Sequence, residues 1–230
     1  MESIRKNYEG VKAQVAQAAK DCGRDEESIM LIGVSKRKSV DIVTRGLEAG
    51  AQNLGENYIQ EAVEKIDTIG RNRACWHFIG HLQSNKARFA VKYFDFIHTV
   101  DKVKLAREID KQAKKAGKVQ KILLQVNIGD ETTKSGARAE DTVGLARDIS
   151  QFENVSVKGL MCMPPFFADP EQARPYFKQL VRIREKIQEQ DIPGISMDHL
   201  SMGMSNDFKV AIEEGSTMVR VGTAIFGSRE

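Results

Sequence analysis

The sequence predicts a closed (β/α)8 barrel of the TIM type, in the α/β class, preceded by one extra N-terminal helix. Three observations predict it. Eight short β-rich runs alternate with amphipathic helical stretches along nearly all of the 230 residues, and such alternation implies parallel strands joined by right-handed crossovers. The rival is an open doubly wound sheet, but its G-x-G-x-x-G signature is missing after the first run, which ends in GVSKRKSV, and a P-loop is missing too. No Pro-, Gly- or Ser-rich linker divides the chain, so a single domain over 1–230 is expected.

The first element is a helix over 3–22 that mixes Lys, Glu, Gln and Ala with a spaced apolar stripe. The β-rich runs are MLIGVS (30–35), NLG (53–55), WHFIG (76–80), FIHTV (96–100), ILLQVNI (122–128), VKGLM (157–161), HLSM (199–202) and MVRV (218–221). Between them, helical periodicity marks 40–49, 59–67, 85–93, 102–116, 140–152, 170–190 and 208–214.

Composition excludes several classes of function. With 41% hydrophobic and 29% charged residues the chain has ordinary globular usage, so disorder and fibrous repeats are ruled out. No apolar run approaches the roughly 18–20 residues of a membrane span, and the first residues are no signal peptide, so a cytoplasmic protein without a membrane partner is expected. The net charge is +3, with lysines and arginines interleaved with acids, as in REKIQEQ and DKVKLAREIDKQAKKAG. Those runs read as solvated helix faces rather than a nucleic-acid surface. Cys22, Cys75 and Cys162 are too scattered for a disulfide framework or a zinc ribbon. His77 and His81 have the spacing of a helical zinc pair but fall at a strand end with no adjoining glutamate, so no metal is expected.

In a barrel of this kind ligands bind where the strands end. Lys36 comes directly after the first run and shares the face of Ile32 and Val34. A partly desolvated amine there is a nucleophile toward aldehydes. At the last strand Gly222 and Thr223 stand just past the apolar run, where backbone N–H groups and a hydroxyl can bind phosphate oxygens. The seventh run leads into Ser201, Gly203 and Ser205, read as a small-residue loop that supplies the other half of the cradle. Arg220 shares the face of Gly222 and carries a guanidinium inward, where a carboxylate or a ligand ring nitrogen is its expected acceptor. An aldehyde-reactive lysine, a phosphate cradle across the barrel and a cation between them together describe a pyridoxal 5'-phosphate (PLP) site.

The ordered motifs VSK (34–36), GENYIQE (55–61), WHFIGHLQSNK (76–86), HTVD (98–101), QVNI with TKSG (125–136), GLMCM (159–163), LSMGMSND (200–207) and GSTMVRVGTAIFG (215–227) run essentially end to end. On them the chain resembles the pyridoxal-phosphate homeostasis protein family, whose fold is similar to the barrel domain of alanine racemase. One departure is His81, where the family more often has proline. The resemblance implies a non-catalytic, monomeric PLP-binding protein of intracellular PLP homeostasis that holds the cofactor as an internal aldimine and hands it to PLP-dependent apo-enzymes. It implies Lys36 as the Schiff-base lysine, Arg220 as partner of the pyridine nitrogen, Ser201, Ser205, Gly222 and Thr223 as phosphate contacts, and Asn57 near the ring. His77 and Met161 are expected at strand ends facing the same mouth. No catalytic residue is assigned. The alternative, an amino-acid racemase of the alanine racemase type, needs a second proton donor opposite Lys36, and of the four tyrosines only Tyr58 is placed near the mouth. Lys134 is read as an exposed loop lysine near the same rim.

Overall fold

The structure, a computed structural model, describes residues 2–129, 131 and 135–227. Eight strands form the wall: β1 Met30–Val34, β2 Asn53–Glu56, β3 Cys75–Phe78, β4 Phe96–Val100, β5 Gln120–Asn127, β6 Val155–Cys162, β7 Ile195–Met204 and β8 Met218–Val221. Each pairs in parallel with the next, and β8 pairs with β1, so the ladder closes. A two-residue strand, Ala137–Arg138, extends the ladder beside the end of β5.

Closure explains why the strands read as near-continuous apolar runs: all five residues of β4 are buried because both of its faces are covered. Inward-facing Ile32, Phe96, Leu123, Met161 and Met218 form one cluster inside the barrel. Outward-facing Leu54, Trp76, Phe78 and Ile97 join a larger apolar layer under the helices.

The helices are α1 Glu2–Asp21, α2 Val40–Glu48, α3 Ile59–Ile69, α4 Ala87–Tyr93, α5 Val103–Lys115, α6 Thr142–Ile149, α7 Arg174–Gln188, α8 Phe208–Glu213 and α9 Thr223–Phe226. The helix after β8, α9, has only four residues and is too short to cover the seam between β8 and β1. α1 fills that place. Its buried stripe of Ile4, Tyr8, Val11, Val15, Ala18 and Ala19 packs against α2, α8 and α9. Asn7 donates to the Ile225 carbonyl and Tyr8 to the Gly50 carbonyl, and Arg24, just past the helix, donates to the carbonyls of Ile212 and Ser216.

The expected order of strands and helices is found throughout. β7 is longer than its apolar core of HLSM, starting at Ile195 opposite Val157 and ending past Gly203. Gly203 lies at φ +90°, and a Cβ there would stand 2.6 Å from the Ala211 Cβ and 2.9 Å from the Phe208 Cα, so only glycine lets β7 pass this close to α8. Among the described residues no helix is long and apolar enough to cross a membrane.

Candidate functional site

The turn after β1 presents Lys36, half-buried. Ile32, two residues before Val34 on the same face, lies in the interior cluster, so the face expected to point inward does so. The chain leaves the strand at Ser35 and reverses through Arg37, whose φ of 58° is left-handed and costly for a residue with a Cβ.

A buried charged clamp holds that geometry. The Ser35 hydroxyl donates to Glu56 Oε1 at 2.6 Å. Lys65, on α3 and 3% exposed, donates to the Ser35 carbonyl at 2.7 Å, to Glu56 Oε1 at 2.8 Å and to Glu61 Oε1 at 2.6 Å. The Arg37 N–H donates to Glu61 Oε1 as well. The backbone on both sides of Lys36 is therefore pinned. Burial pushes the Glu56 carboxyl above the usual carboxylate range, against the pull of Lys65 and Ser35.

The turn after β8 adjoins this one. Ile32 stands opposite Arg220 and Gly33 opposite Val221, and a Cβ on Gly222 would lie 3.3 Å from the Val34 carbonyl oxygen. The expectation that the cradle lies across the barrel from the lysine is therefore corrected: parallel closure makes the first and last strands neighbours. The Gly222 carbonyl accepts from the N–H groups of Ile225 and Phe226, while the first N–H groups of so short a helix, those of Thr223 and Ala224, have no partner within it. Thr223 is exposed, and so is Ser205, in the turn after β7 where Asp207 accepts from the Met204 N–H at 2.6 Å.

Asn57 completes the rim from β2. It is half-buried, and its Oδ1 is fully buried with no hydrogen-bond partner. Gly80 is the reason the backbone can sit there: a Cβ at Gly80 would be 2.1 Å from the Asn57 carbonyl oxygen. Exposed Tyr58 lies beside Arg37, whose guanidinium stands 5.7 Å from its ring centroid.

Below the rim lies Arg220, 4% exposed. It donates from Nη1 to Ser201 Oγ at 2.6 Å and from Nη2 to the Cys162 carbonyl at 2.9 Å. Burial lowers its pKa, with the Cys162 thiol and Asp207 acting the other way. The polar contacts continue inward: Ser201 Oγ to His98 Nδ1 at 3.0 Å, His98 Nε2 to His77 Nδ1 at 2.9 Å, and His77 Nε2 to Asn53 Oδ1 at 3.2 Å. His77 stacks on Phe96 with ring centroids 5.2 Å apart. Both imidazoles are fully buried and neutral, His77 with a pKa down to about 3 and His98 lowered well below the usual value, in each case chiefly by burial.

Three expectations change in position. Ser201 belongs to β7 rather than to the loop after it, and its hydroxyl is buried between Arg220 and His98. His77 does not face the mouth: it is the third of the four residues of β3 and reaches down to Asn53, the first residue of β2. Met161 is likewise fully buried in the interior cluster, because β6 runs on to Cys162. His81, by contrast, is exposed and pairs with Ser135, far from the environment of His77. Lys134 lies outside the described residues. Sequence reasoning missed Lys65, Glu56, His98 and Asn53. The signals were present: Lys65 occupies the buried stripe of α3 with Ile59, Ala62 and Ile66, and His98 interrupts an otherwise apolar run.

Separately, a cavity of about 530 Å³ opens at the opposite end of the barrel, between α1 and the starts of β1 and β2, lined by Tyr8, Lys12, Met30 and Asn53 among others. It does not reach the rim residues.

The family described as "Alanine racemase, N-terminal domain" matches residues 4–230. Pyridoxal phosphate homeostasis proteins are similar over the whole chain. That of Vibrio alginolyticus is 41% identical over 234 residues, covering 100% of this chain and 99% of its own length. That of Aquifex aeolicus is 40% identical over 220 residues, covering 96% of each. Among solved structures, PipY of Synechococcus elongatus PCC7942 with PLP bound is 33% identical with a TM-score of 0.85, covering 97% of this chain and 100% of that one. An alanine racemase of Clostridium difficile 630, 16% identical with a TM-score of 0.72, covers 98% of this chain with 56% of its own, and shares the fold.

Proposed function

Because the chain belongs to the alanine racemase N-terminal domain family, and within it to the pyridoxal phosphate homeostasis proteins, we propose that it binds PLP at this mouth and holds it in reserve for PLP-dependent apo-enzymes rather than turning over a substrate. The observation that carries the reading is the adjacency of β1 and β8, which brings the Lys36 turn beside Gly222 and Thr223 with Arg220 beneath.

The residues present suit the group. Asn57 carries a buried oxygen without a partner at the rim, and the buried guanidinium of Arg220 is met by neutral oxygens among the described residues. Lys36 would anchor the cofactor covalently, Thr223, Gly222 and Ser205 would hold its phosphate, and Asn57 would lie beside the ring. Arg220 would donate to the ring nitrogen, with Ser201, His77 and Met161 supporting it from below. When bound, PLP supplies an aldehyde and an electron-withdrawing ring.

Arg220 decides how far that ring can withdraw. A permanent guanidinium disfavours a proton on the nitrogen it faces, which weakens carbanion stabilisation. The acid–base inventory points the same way. Tyr8 and Tyr93 donate their hydroxyl protons to Gly50 and Asp67, and Tyr58 sits exposed beside Arg37. Holding, not racemising, is what this arrangement does well.

Borohydride reduction of the PLP-loaded protein, then peptide mapping, tests the anchor. Label on Lys36, lost in Lys36→Ala, is expected; label retained elsewhere overturns the assignment. Solvent deuterium appearing at the α-carbon of alanine or serine faster than with free PLP would establish the racemase instead. The reading takes the protein as a monomer, and sedimentation as a stable dimer would overturn that part.

A further inference from the structure

Arg220 presents an electrostatic problem that the binding of PLP does not by itself solve. A buried cation normally has a carboxylate partner, because the desolvation cost of an isolated charge is several kcal/mol. Among the described residues no carboxylate forms an ion pair with Arg220; Asp207, the nearest acidic influence, is occupied in capping the turn after β7. What meets the guanidinium is the head of the chain Ser201–His98–His77–Asn53.

The protons of that chain can be placed one by one. Asn53 Oδ1 only accepts, so His77 Nε2 carries a hydrogen. A neutral His77 then has a lone pair on Nδ1, which requires a hydrogen on His98 Nε2. A neutral His98 in turn offers its Nδ1 lone pair to the Ser201 hydroxyl, whose remaining lone pairs face Arg220. Every donor has an acceptor, and all the bond dipoles point one way, with their negative ends toward the guanidinium. In the opposite polarity Ser201 would receive from both His98 and Arg220 and leave its own proton without an acceptor in the chain. The positive charge selects the first arrangement.

We propose that this head-to-tail chain is the counterion of Arg220: aligned neutral dipoles replace the missing carboxylate, and His98 and His77 are positioning residues that fix the direction of the guanidinium. The choice has a consequence. A carboxylate would cancel the charge, whereas neutral dipoles stabilise Arg220 and leave its full positive charge to face an anionic, ring-nitrogen-bearing ligand above. The part concerning PLP rests on the function proposed above; the polarity of the chain does not.

The first test needs no cofactor. In the apo protein, long-range 1H–15N spectra of the imidazoles should show His77 and His98 both neutral and both protonated at Nε2 between about pH 5 and pH 8. An imidazolium, or a hydrogen on Nδ1 of either ring, overturns the proposal whether or not PLP binds. The second compares His98→Gln, whose amide can still accept from Ser201 and donate to His77, with His98→Leu, which can do neither. His98→Leu should raise the Kd for PLP about tenfold and shift the absorption bands of the bound cofactor, with His98→Gln restoring both most of the way. Equal Kd values and spectra for the two variants would show that the chain does not act on Arg220. Should His98→Leu fail to fold, Asn53→Leu at the half-buried far end replaces it: the imidazole signals of both His77 and His98 should move, and movement of His77 alone overturns the coupling.

Discussion

The two turns that meet at the barrel mouth are built by opposite means. After β1, a left-handed residue and a half-buried lysine are held by a clamp of three charged side chains, two of them almost wholly buried. After β8, Gly222 caps one turn of helix through its own carbonyl, and the next side chain, that of Thr223, is exposed. The difference matches what each turn has to offer. Aiming one amine requires fixed side-chain and backbone angles, whereas an anion held by successive N–H groups needs only the backbone path that the strand ending already provides.

The sharpest way to break this contrast is Lys65→Ala. It leaves Glu56 buried and uncompensated and should cost about 3–5 kcal/mol in urea denaturation of the apo protein. Replacing both partners, Lys65→Met with Glu56→Gln, should recover part of that loss, and a single-variant cost below about 1 kcal/mol would mean the clamp is not a tight pair. Thr223→Ala should do the reverse: stability should stay within about 0.5 kcal/mol because the residue is exposed, while PLP retention weakens by about 1.5–3 kcal/mol through loss of a charge-assisted hydrogen bond. An unchanged Kd would remove Thr223 from the anion site.

Under both turns, the imidazole chain gives a pH signature. His77 titrates near 3 when folded and near 6.5 when unfolded, so the unfolded state binds more protons in between and stability falls as pH drops through that window. Going from about pH 7 to about pH 5, His77 should cost about 2 kcal/mol, with His98 acting in the same direction. In His77→Gln the acid-side slope of the urea midpoint should be shallower; an identical slope would mean that His77 is not held neutral. The smallest effect belongs to the strained residue. Arg37→Gly should change stability by no more than about 1 kcal/mol, relief of the left-handed φ offsetting the added chain entropy, whereas Arg37→Val should be clearly destabilising.

Periodicity made the wall of the barrel legible. The boundaries of β4 and β8 agree with the runs FIHTV and MVRV, since a strand buried on both faces ends where its apolar run ends. The rim residues Lys36, Asn57, Gly222 and Thr223 were legible for the same reason, as they stand where strands stop. The depth of Ser201, His77 and Met161 was not, because depth depends on the stagger between neighbouring strands, which no local pattern encodes. The clamp was hidden by the usual meaning of lysine on a helix. Lys65 looks like one more solvated charge until its spacing from Ile59, Ala62 and Ile66 is noticed. The pairing of His98 with His77 joins strands twenty-one residues apart in sequence, and only the closed ladder brings them together.

Cys162 lends its carbonyl to Arg220 while its thiol is fully buried, with burial pushing the pKa up to about 12. Such a sulfur is chemically silent for as long as the cylinder stays shut, since the reactive thiolate is almost never present and no reagent can reach it. Its rate of alkylation is therefore a stopwatch for the breathing of β6 beneath the mouth. Loading and emptying of the vessel can be timed by a natural atom, without adding a probe.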